Sequence, residues 1–401
     1  MITALRGMKD ILPPQNQKFE YFIKNTSKIV KKYGFEFIET PLLEETSLFK
    51  RSVGESSDIV GKEMYQFKDK GGNDVCLRPE GTAGVVRAFV EKKLDRIGGI
   101  NRFFYYGPMF RYERPQKGRF RQFHQFGVES FGVESHYEDA NIILMTKEIL
   151  DFFGINYSLK LNSLGCEDCM TPYRKELITF LDTITDDLCP DCQRRKETNP
   201  IRVFDCKNEQ CQALLNPAPR LNQNLCEKCD THFNALRTIL DKQNVKYEVD
   251  PNLVRGLDYY NQTAFEFISG DLGAQNAVAG GGRYDKLVSF LDGKETPAIG
   301  FAIGIERLLE MIEIPQEQRK GYYFGALCPQ AIGIVFDAAS KQRKTDIVTL
   351  SYEKKSLKAH LKAADKAGAR YCAVIGEDEL ENQTIWIKDL QEKTEFTAPL
   401  S

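Results

Sequence analysis

The chain has 401 residues, 42% hydrophobic and 28% charged, an ordinary globular balance long enough for two or three domains and a sizeable core. A net charge of −2, from 55 basic and 57 acidic residues, excludes a generally basic nucleic-acid-coating protein but leaves room for a local positive patch. No stretch approaches the roughly 20 apolar residues of a membrane helix, and the opening Met1-Ile2-Thr3-Ala4-Leu5-Arg6-Gly7 lacks the apolar run of a signal peptide. A soluble, cytoplasmic protein with no membrane partner and only short disordered ends is expected.

In chain order, Phe19, Phe22, Ile23, Ile29 and Val30 predict a helix over 15–32, after Pro13-Pro14 and closed by Tyr33-Gly34. Residues 35–41 read as a strand running into Pro41. Residues 64–67 and 75–78 read as two strands joined by the Asp69-Lys70-Gly71-Gly72 turn, and a helix follows over 83–93. Residues 101–107, 109–113 and 120–129 read as extended, with 114–119 as an irregular loop. No crossover helix fits between these strands, so an antiparallel sheet is expected. A helix over 137–153 closes this block. Residues 166–240 are rich in cysteine, asparagine and proline and read as an inserted subdomain. Strands resume at 247–249 and 263–268, followed by the turn Gly280-Gly281-Gly282-Arg283-Tyr284, a strand at 298–304 and a helix at 305–311.

A polar stretch over 315–322 reads as a linker. Beyond it, strands at 323–327, 346–350, 371–375 and 384–387 alternate with helices near 331–343 and 355–367, the pattern of a small α/β domain with a mostly parallel sheet. No internal repeat or low-complexity tract interrupts the chain.

The densest chemistry lies in 110–129. Five basic residues fall between 111 and 121 against one acid, Glu113. Strand alternation places Arg111 with Glu113, and Arg121 with Phe123, Gln125, Gly127 and Glu129. Such a face offers a guanidinium fork for phosphate, a ring for a base, and an amide and carboxylate for an amine or imidazole. His124 falls on the opposite side. Gly281, Gly282 and Gly300 are expected to keep side chains away from a ligand lying flat on the sheet. No G-x-x-x-x-G-K-[ST] is present, so a P-loop enzyme is not expected.

Eight of the 11 cysteines lie between Cys166 and Cys229. Cys166/Cys169, Cys189/Cys192 and Cys226/Cys229 are C-x-x-C pairs, and Cys206/Cys211 is a looser fourth. This spacing suits structural zinc, with reduced packed thiols or redox pairs as alternatives. The pairing is open at this stage. Cys76, Cys328 and Cys372 sit in or beside apolar strands and are expected to pack. His136, His232 and His360 show no supporting constellation.

The 110–129 segment resembles motif 2 of the histidyl-tRNA synthetases, a class II aminoacyl-tRNA synthetase family. Leu253-Val254-Arg255-Gly256-Leu257-Asp258-Tyr259-Tyr260 and Ala279-Gly280-Gly281-Gly282-Arg283-Tyr284-Asp285 resemble its histidine-specific motifs, 300–308 resembles motif 3, and the stretch ending at Pro41 resembles part of motif 1, the family's dimer interface. The resemblance runs from Leu5 to near the C-terminus. It implies an α+β catalytic domain on an antiparallel sheet over 1–318, with the insertion at about 166–240, and an anticodon-binding α/β domain over 322–401. It also implies a homodimer that joins L-histidine to tRNA(His) using ATP with Mg2+.

The resemblance further implies residue roles. Arg111 grips the α-phosphate, Glu113 reads the adenine amino group, Arg119 reaches the outer phosphates, Phe123 stacks adenine, and Arg307 covers its other face. Gln125 borders both ligands. Glu80, Thr82, Gln125, Glu129, Tyr259 and Tyr260 take histidine, while Arg255 stands opposite Arg111 at the α-phosphate. Some family members lack the cysteines, so any zinc is expected to stabilise the insertion without entering aminoacylation. Lys354, Lys355, Lys358 and Lys362, with Arg343 and Lys344 nearby, form a basic face for tRNA. Residues 395–401 are short against the family, which is expected to weaken the last helix or strand. The alternatives are the family's catalytically silent regulator of histidine biosynthesis and a zinc-containing RNA-binding module.

Overall fold

The computed structural model describes residues 1–54, 57–116, 118–270, 277–315 and 318–400. Lys117 of the 114–119 loop and Ser401 lie outside them, as do Gln316 and Glu317 of the polar stretch. The chain divides into two compact units, Met1–Glu313 and Ile314–Ser401.

The first unit is built on an eight-stranded sheet. Its central strands run antiparallel in the order Asn101–Phe110, Gln122–Phe131, Ala298–Gly304, Ala277–Arg283, Asn261–Ile268 and Ser158–Ser163. Two short strands, Glu36–Phe37 and Glu248–Val249, add parallel pairings at the edges. The predicted strand over 35–41 shrinks to that two-residue edge, because the chain turns away toward Pro41.

Side-chain alternation gives this sheet two unlike faces. Phe126, Val128, Phe265, Phe267, Phe301 and Ile303 point into the main core. Three helices cover them: Gln15–Lys32 with Phe22, Ile29 and Val30, His136–Phe152 with Ile142, Ile143 and Ile149, and Glu227–Lys242 with Phe233, Leu236 and Leu240. The intervening residues Gln125, Glu129, Glu266, Gly280, Gly300 and Ala302 face a cavity. Burying the first set in full, at about 25 cal/mol per Å² of apolar surface, fixes the strand register. The opposite face can then carry polar and bare positions.

Arg111 departs from expectation, since the strand ends at Phe110 and residues 111–116 are irregular. Arg121 also leaves the face shared by Phe123 and Gln125. Its guanidinium lies 3.8 Å from the centre of the Tyr112 ring, and its Nε donates to the Glu113 carbonyl at 3.2 Å.

The second unit holds a five-stranded sheet in the order Val348–Lys354, Tyr322–Ala326, Tyr371–Ile375, Thr384–Asp389 and Glu395–Pro399. Its first two pairings are parallel and its last two antiparallel, so the sheet is mixed rather than mostly parallel. Residues 395–399 are not weakened. They pair with Thr384–Asp389 in unbroken register as an edge strand. Lys354 ends a strand and Lys355 follows it, while Lys358 and Lys362 lie on the helix Leu357–Lys366; all four are exposed. No described helix is long and apolar enough to cross a membrane.

Candidate active site

The cavity on the open face of the large sheet has a volume of about 300 Å³, the scale of a small-molecule site. All twelve residues assigned to ATP and histidine from sequence line it. They arrive from five separate segments: Glu80 and Thr82, Arg111 to Phe123, Gln125 and Glu129, the 255–260 segment, and Arg307.

At one end, Glu129 is fully buried. Its Oε1 accepts from the Thr82 hydroxyl at 2.7 Å and the Tyr105 hydroxyl at 3.2 Å, and its Oε2 accepts from the Tyr284 hydroxyl. Burial pushes the Glu129 carboxyl up to about 8, and the nearby Glu80 charge adds to this, while the three hydroxyls oppose it. Glu80 accepts from the backbone N–H groups of Thr82 at 2.7 Å and Ala83 at 2.8 Å. It thus serves the orphan donors opening the helix Thr82–Glu91. Burial also raises its pKa, against those hydrogen bonds. Each Glu80 oxygen keeps a lone pair for a ligand. The buried Gln125 Oε1 has no partner among the described residues, leaving an acceptor free for a donor group in the cavity.

Tyr105 and Tyr284 were not assigned from sequence. Tyr284 lies in the quoted glycine-rich motif, and a hydroxyl following three glycines was its only local signal. Tyr105 left a trace in its partners. A β-carbon on Gly127 would lie 2.4 Å from its hydroxyl, and one on Gly81 would lie 2.1 Å from its ring. Gly300 is bare because a β-carbon there would meet Glu129 at 2.1 Å. Gly281 and Gly282 do not line the cavity. Substituents on them would strike the Gly300 and Thr263 carbonyls, at 2.1 and 2.4 Å, so they serve strand packing rather than a flat ligand. Gly280 takes the ligand-facing place instead, with the Arg255 guanidinium 2.6 Å from where its β-carbon would be.

The other end is cationic. Arg111 donates from Nε to the Pro79 carbonyl at 2.9 Å and lies 5.3 Å from the Phe123 ring centre. Arg307 donates to the Gly118 and Ala277 carbonyls at 3.3 and 3.0 Å. Arg119 pairs with Glu113. Burial lowers the pKa of all three guanidiniums, and mutual repulsion lowers those of Arg119 and Arg307 further. Arg255 differs. Burial opposes its charge, but Tyr260, Glu266 and Tyr259 hold its pKa above the ordinary value, with Glu266 Oε1 accepting at 2.8 Å. A cluster of fixed cations beside a ring is a site for a polyanion carrying a base.

His124 turns away from this cavity, with Nδ1 2.7 Å from Glu306 Oε1 and its ring edge-on to Phe19. His232 is more engaged than expected. Its Nε2 lies 2.8 Å from Asp139 Oδ2, and Asp139 also takes Arg283 Nε at 2.8 Å. The sequence hid this network because its members lie on three distant segments. Cys76, Cys328 and Cys372 are buried, and burial raises Cys76 to about 11 and Cys372 to about 12.

The insertion resolves its cysteines into two sets of four, Cys166/Cys169/Cys226/Cys229 and Cys189/Cys192/Cys206/Cys211. In each set all the Sγ atoms lie within 4.8 Å of one another, and each set is able to hold a metal ion. Cys166, Cys189 and Cys226 each stand at a helix N-cap, and the Cys189 and Cys226 amides point to Cys211 Sγ at 3.2 Å and Cys169 Sγ at 3.1 Å.

Comparison with known proteins places this geometry. A family model described as histidyl-tRNA synthetase matches residues 7–166 and 200–308, and one described as anticodon binding domain matches 332–401. A histidine–tRNA ligase of Sulfurimonas denitrificans is 63% identical over 99% of this chain and 98% of its own. Another, of Nitratiruptor sp., is 64% identical over 98% and 97%. The crystal structure of apo S. aureus histidyl-tRNA synthetase aligns over 100% of this chain and 98% of its own, with 35% identity and a TM-score of 0.84.

Proposed function

The chain belongs to the histidyl-tRNA synthetase family, and on that footing we propose how its residues divide the work of histidine–tRNA ligation. The enzyme activates L-histidine with ATP and transfers it to tRNA(His). A histidine carboxylate oxygen attacks the α-phosphorus, the bond to the bridging oxygen breaks, and pyrophosphate leaves. In the second step a ribose hydroxyl of the terminal adenosine attacks the acyl carbon and AMP leaves.

Adenine stacks on Phe123, with Arg307 over its other face and Glu113 at its amino group. Arg119 meets the outer phosphates. Arg111 and Arg255 flank the α-phosphate, where fixed guanidiniums stabilise the charge that develops as pyrophosphate departs. Magnesium enters with ATP as part of the substrate. Glu266, a cavity carboxylate, is the oxygen donor that would hold it, and the ion would neutralise phosphate charge.

Glu80, Thr82 and Gln125 receive the α-ammonium group of histidine. Glu129 takes an imidazole N–H, with Tyr259 and Tyr260 as the aromatic wall. The buried Glu129 among three hydroxyls is the observation that carries this assignment. A side chain without a ring nitrogen forgoes this hydrogen bond and still has to displace water from the polar pocket, so rejection follows from the lost contact.

Three further assignments complete the picture. The enzyme is a cytoplasmic homodimer; Phe37, Leu42 and Leu43, beside the motif 1 stretch, are exposed apolar residues in the single chain and support a twofold partner. The Lys354, Lys355, Lys358 and Lys362 face contacts tRNA. Each cysteine set holds a structural zinc. Sγ separations of 3.8 Å for Cys166–Cys169, Cys166–Cys226 and Cys189–Cys206 support this. A tetrahedron with zinc–sulfur bonds of about 2.3 Å has an edge of roughly 3.8 Å, whereas a disulfide needs about 2.05 Å.

ATP–pyrophosphate exchange across the amino acids tests the active site. Histidine alone should support exchange. Histidine binding without exchange would assign the chain to the silent regulators instead.

A further inference from the structure

The two cysteine sets occupy different places. Cys166 marks the point where the insertion leaves the catalytic sheet, and Cys226 the point where the chain returns to the main core. Beside Cys166, the Leu164 amide donates to the Gln262 carbonyl at 2.6 Å and the Gln262 amide to the Gly165 carbonyl at 2.8 Å. Cys226 opens the helix Glu227–Lys242, which packs into the main core. This first set therefore sits at the base of the insertion, on elements already held by the sheet and the core.

The second set brackets an arm that packs through Val203 into the insertion's own core rather than the main one. Cys189 and Cys192 stand at its start, Cys206 and Cys211 at its end. Between them lie the helix Pro190–Thr198 and the 3-10 turn Pro200–Asp205, of nine and six residues. Helices this short do not hold themselves in water. Within the set, the Cys189 amide points to Cys211 Sγ at 3.2 Å and the Asn208 amide to Cys206 Sγ at 3.4 Å.

This arm reaches the rim of the active site. Arg194 donates to Asp58 Oδ1 at 2.9 Å, and Arg195 lies 3.6 Å from Asp58 Oδ2. Asp58 immediately precedes Ile59, which lines the cavity. At the far end of the helix, Asn199 Nδ2 donates to Asp258 Oδ1 at 2.8 Å. Asp258 belongs to the segment that carries Arg255, Tyr259 and Tyr260. That segment is irregular, so its backbone has no sheet pairing to fix it, and packing from outside has to position it.

We propose that the Cys189/Cys192/Cys206/Cys211 set is a zinc site that positions the histidine pocket, by closing the 190–205 arm so that Asn199 and Arg194 hold the 255–260 segment and Asp58. The Cys166/Cys169/Cys226/Cys229 set braces only the base of the insertion. This rests on the assignment of zinc to both sets. It changes the expectation that zinc has no bearing on aminoacylation. The metal touches no substrate, and Asn199 is a positioning residue.

The test uses the full-length enzyme purified without chelator, with zinc measured by elemental analysis and histidine activation by pyrophosphate exchange. The wild type should carry two equivalents of zinc. C189S/C192S should lose one equivalent and raise the KM for histidine on the order of tenfold, the effect of losing a hydrogen bond to a charged group, while the KM for ATP holds. Amide hydrogen exchange should quicken across 255–260. C189H, which keeps four ligands, should retain the zinc and the wild-type KM. C166S/C169S should lose the other equivalent and lower the melting temperature without moving the histidine KM. N199A should keep both zincs yet reproduce the histidine KM rise, and N199D/D258N, which reverses donor and acceptor, should restore it. If C189S/C192S does not fold, the N199A and N199D/D258N pair decides. A wild type without zinc overturns the zinc assignment and this inference with it. Two zincs in the wild type, with histidine KM and 255–260 exchange unmoved in C189S/C192S or in N199A, overturn the inference alone.

Discussion

The two ends of the cavity are built differently. At the histidine end the protein answers its own polar groups: Glu129 is surrounded by Thr82, Tyr105 and Tyr284, and Glu80 by backbone amides. At the cationic end Arg111, Arg119 and Arg307 are half-buried near one another, and desolvation pulls their pKa values down. The first end fixes its two carboxyls in place and leaves the buried Gln125 Oε1 open among the described residues. The second is a cationic cleft in which Arg119 pairs with Glu113 and Arg307 donates to the Gly118 and Ala277 carbonyls. On the proposed assignment, specificity depends on pre-organisation at the first end, and catalysis on fixed guanidiniums at the second.

The largest expected effect breaks the second end. Arg255 is the one cavity arginine whose partners hold its charge above the ordinary range, so R255A should lower histidine-dependent pyrophosphate exchange by about 100- to 1000-fold without changing the circular dichroism spectrum. Exchange near the wild-type rate would remove Arg255 from the chemistry.

Next is E129Q, which should raise the histidine KM roughly 10- to 100-fold, the cost of leaving a buried polar group without its partner, and leave the ATP KM in place. The same variant has a pH signature. Glu129 is raised from 4.5 to about 8 in the folded protein, so folding favours its protonated form. The stability it lends is complete below about 4.5 and is lost as pH rises toward 8. Without histidine, the melting temperature of E129Q relative to wild type should climb across that window and level off above it. A flat difference would mean that Glu129 is not held protonated.

A smaller effect separates the surrounding hydroxyls from the carboxyl. Y284F removes one donor to Glu129 and should raise the histidine KM roughly 2- to 10-fold. Its hydrogen bond lowers the Glu129 pKa, so the window just described should move to higher pH. The smallest effect lies in the other unit. K358A/K362A should raise the KM for tRNA a few-fold and reduce the salt slope of tRNA binding by roughly one unit per lysine, with pyrophosphate exchange as the internal reference.

Much of this site was legible in the chain. The odd-numbered positions Phe123, Gln125 and Glu129 face the ligand because Phe126 and Val128 must enter the core, and that alternation is written in the residues. Arg121 broke the pattern because its strand begins one residue later and its guanidinium found the Tyr112 ring. Tyr105 escaped notice because its importance lies in two glycines, Gly81 and Gly127, that have no meaning until the strands are paired.

The sequence by itself determined the pattern of strands and helices and one face suited to phosphate and a base, since periodicity and side-chain chemistry are local properties of the chain, while the fold family and the amino acid came from the resemblance of its motifs to those of the histidyl-tRNA synthetases. Only the tertiary structure decided which cysteines share a site, which hydroxyls surround Glu129, and that the arm at Asn199 meets Asp258. Outside the C-x-x-C pairs, those contacts join residues 17 to 155 positions apart in the chain. Their partners are chosen by packing, which no local pattern encodes.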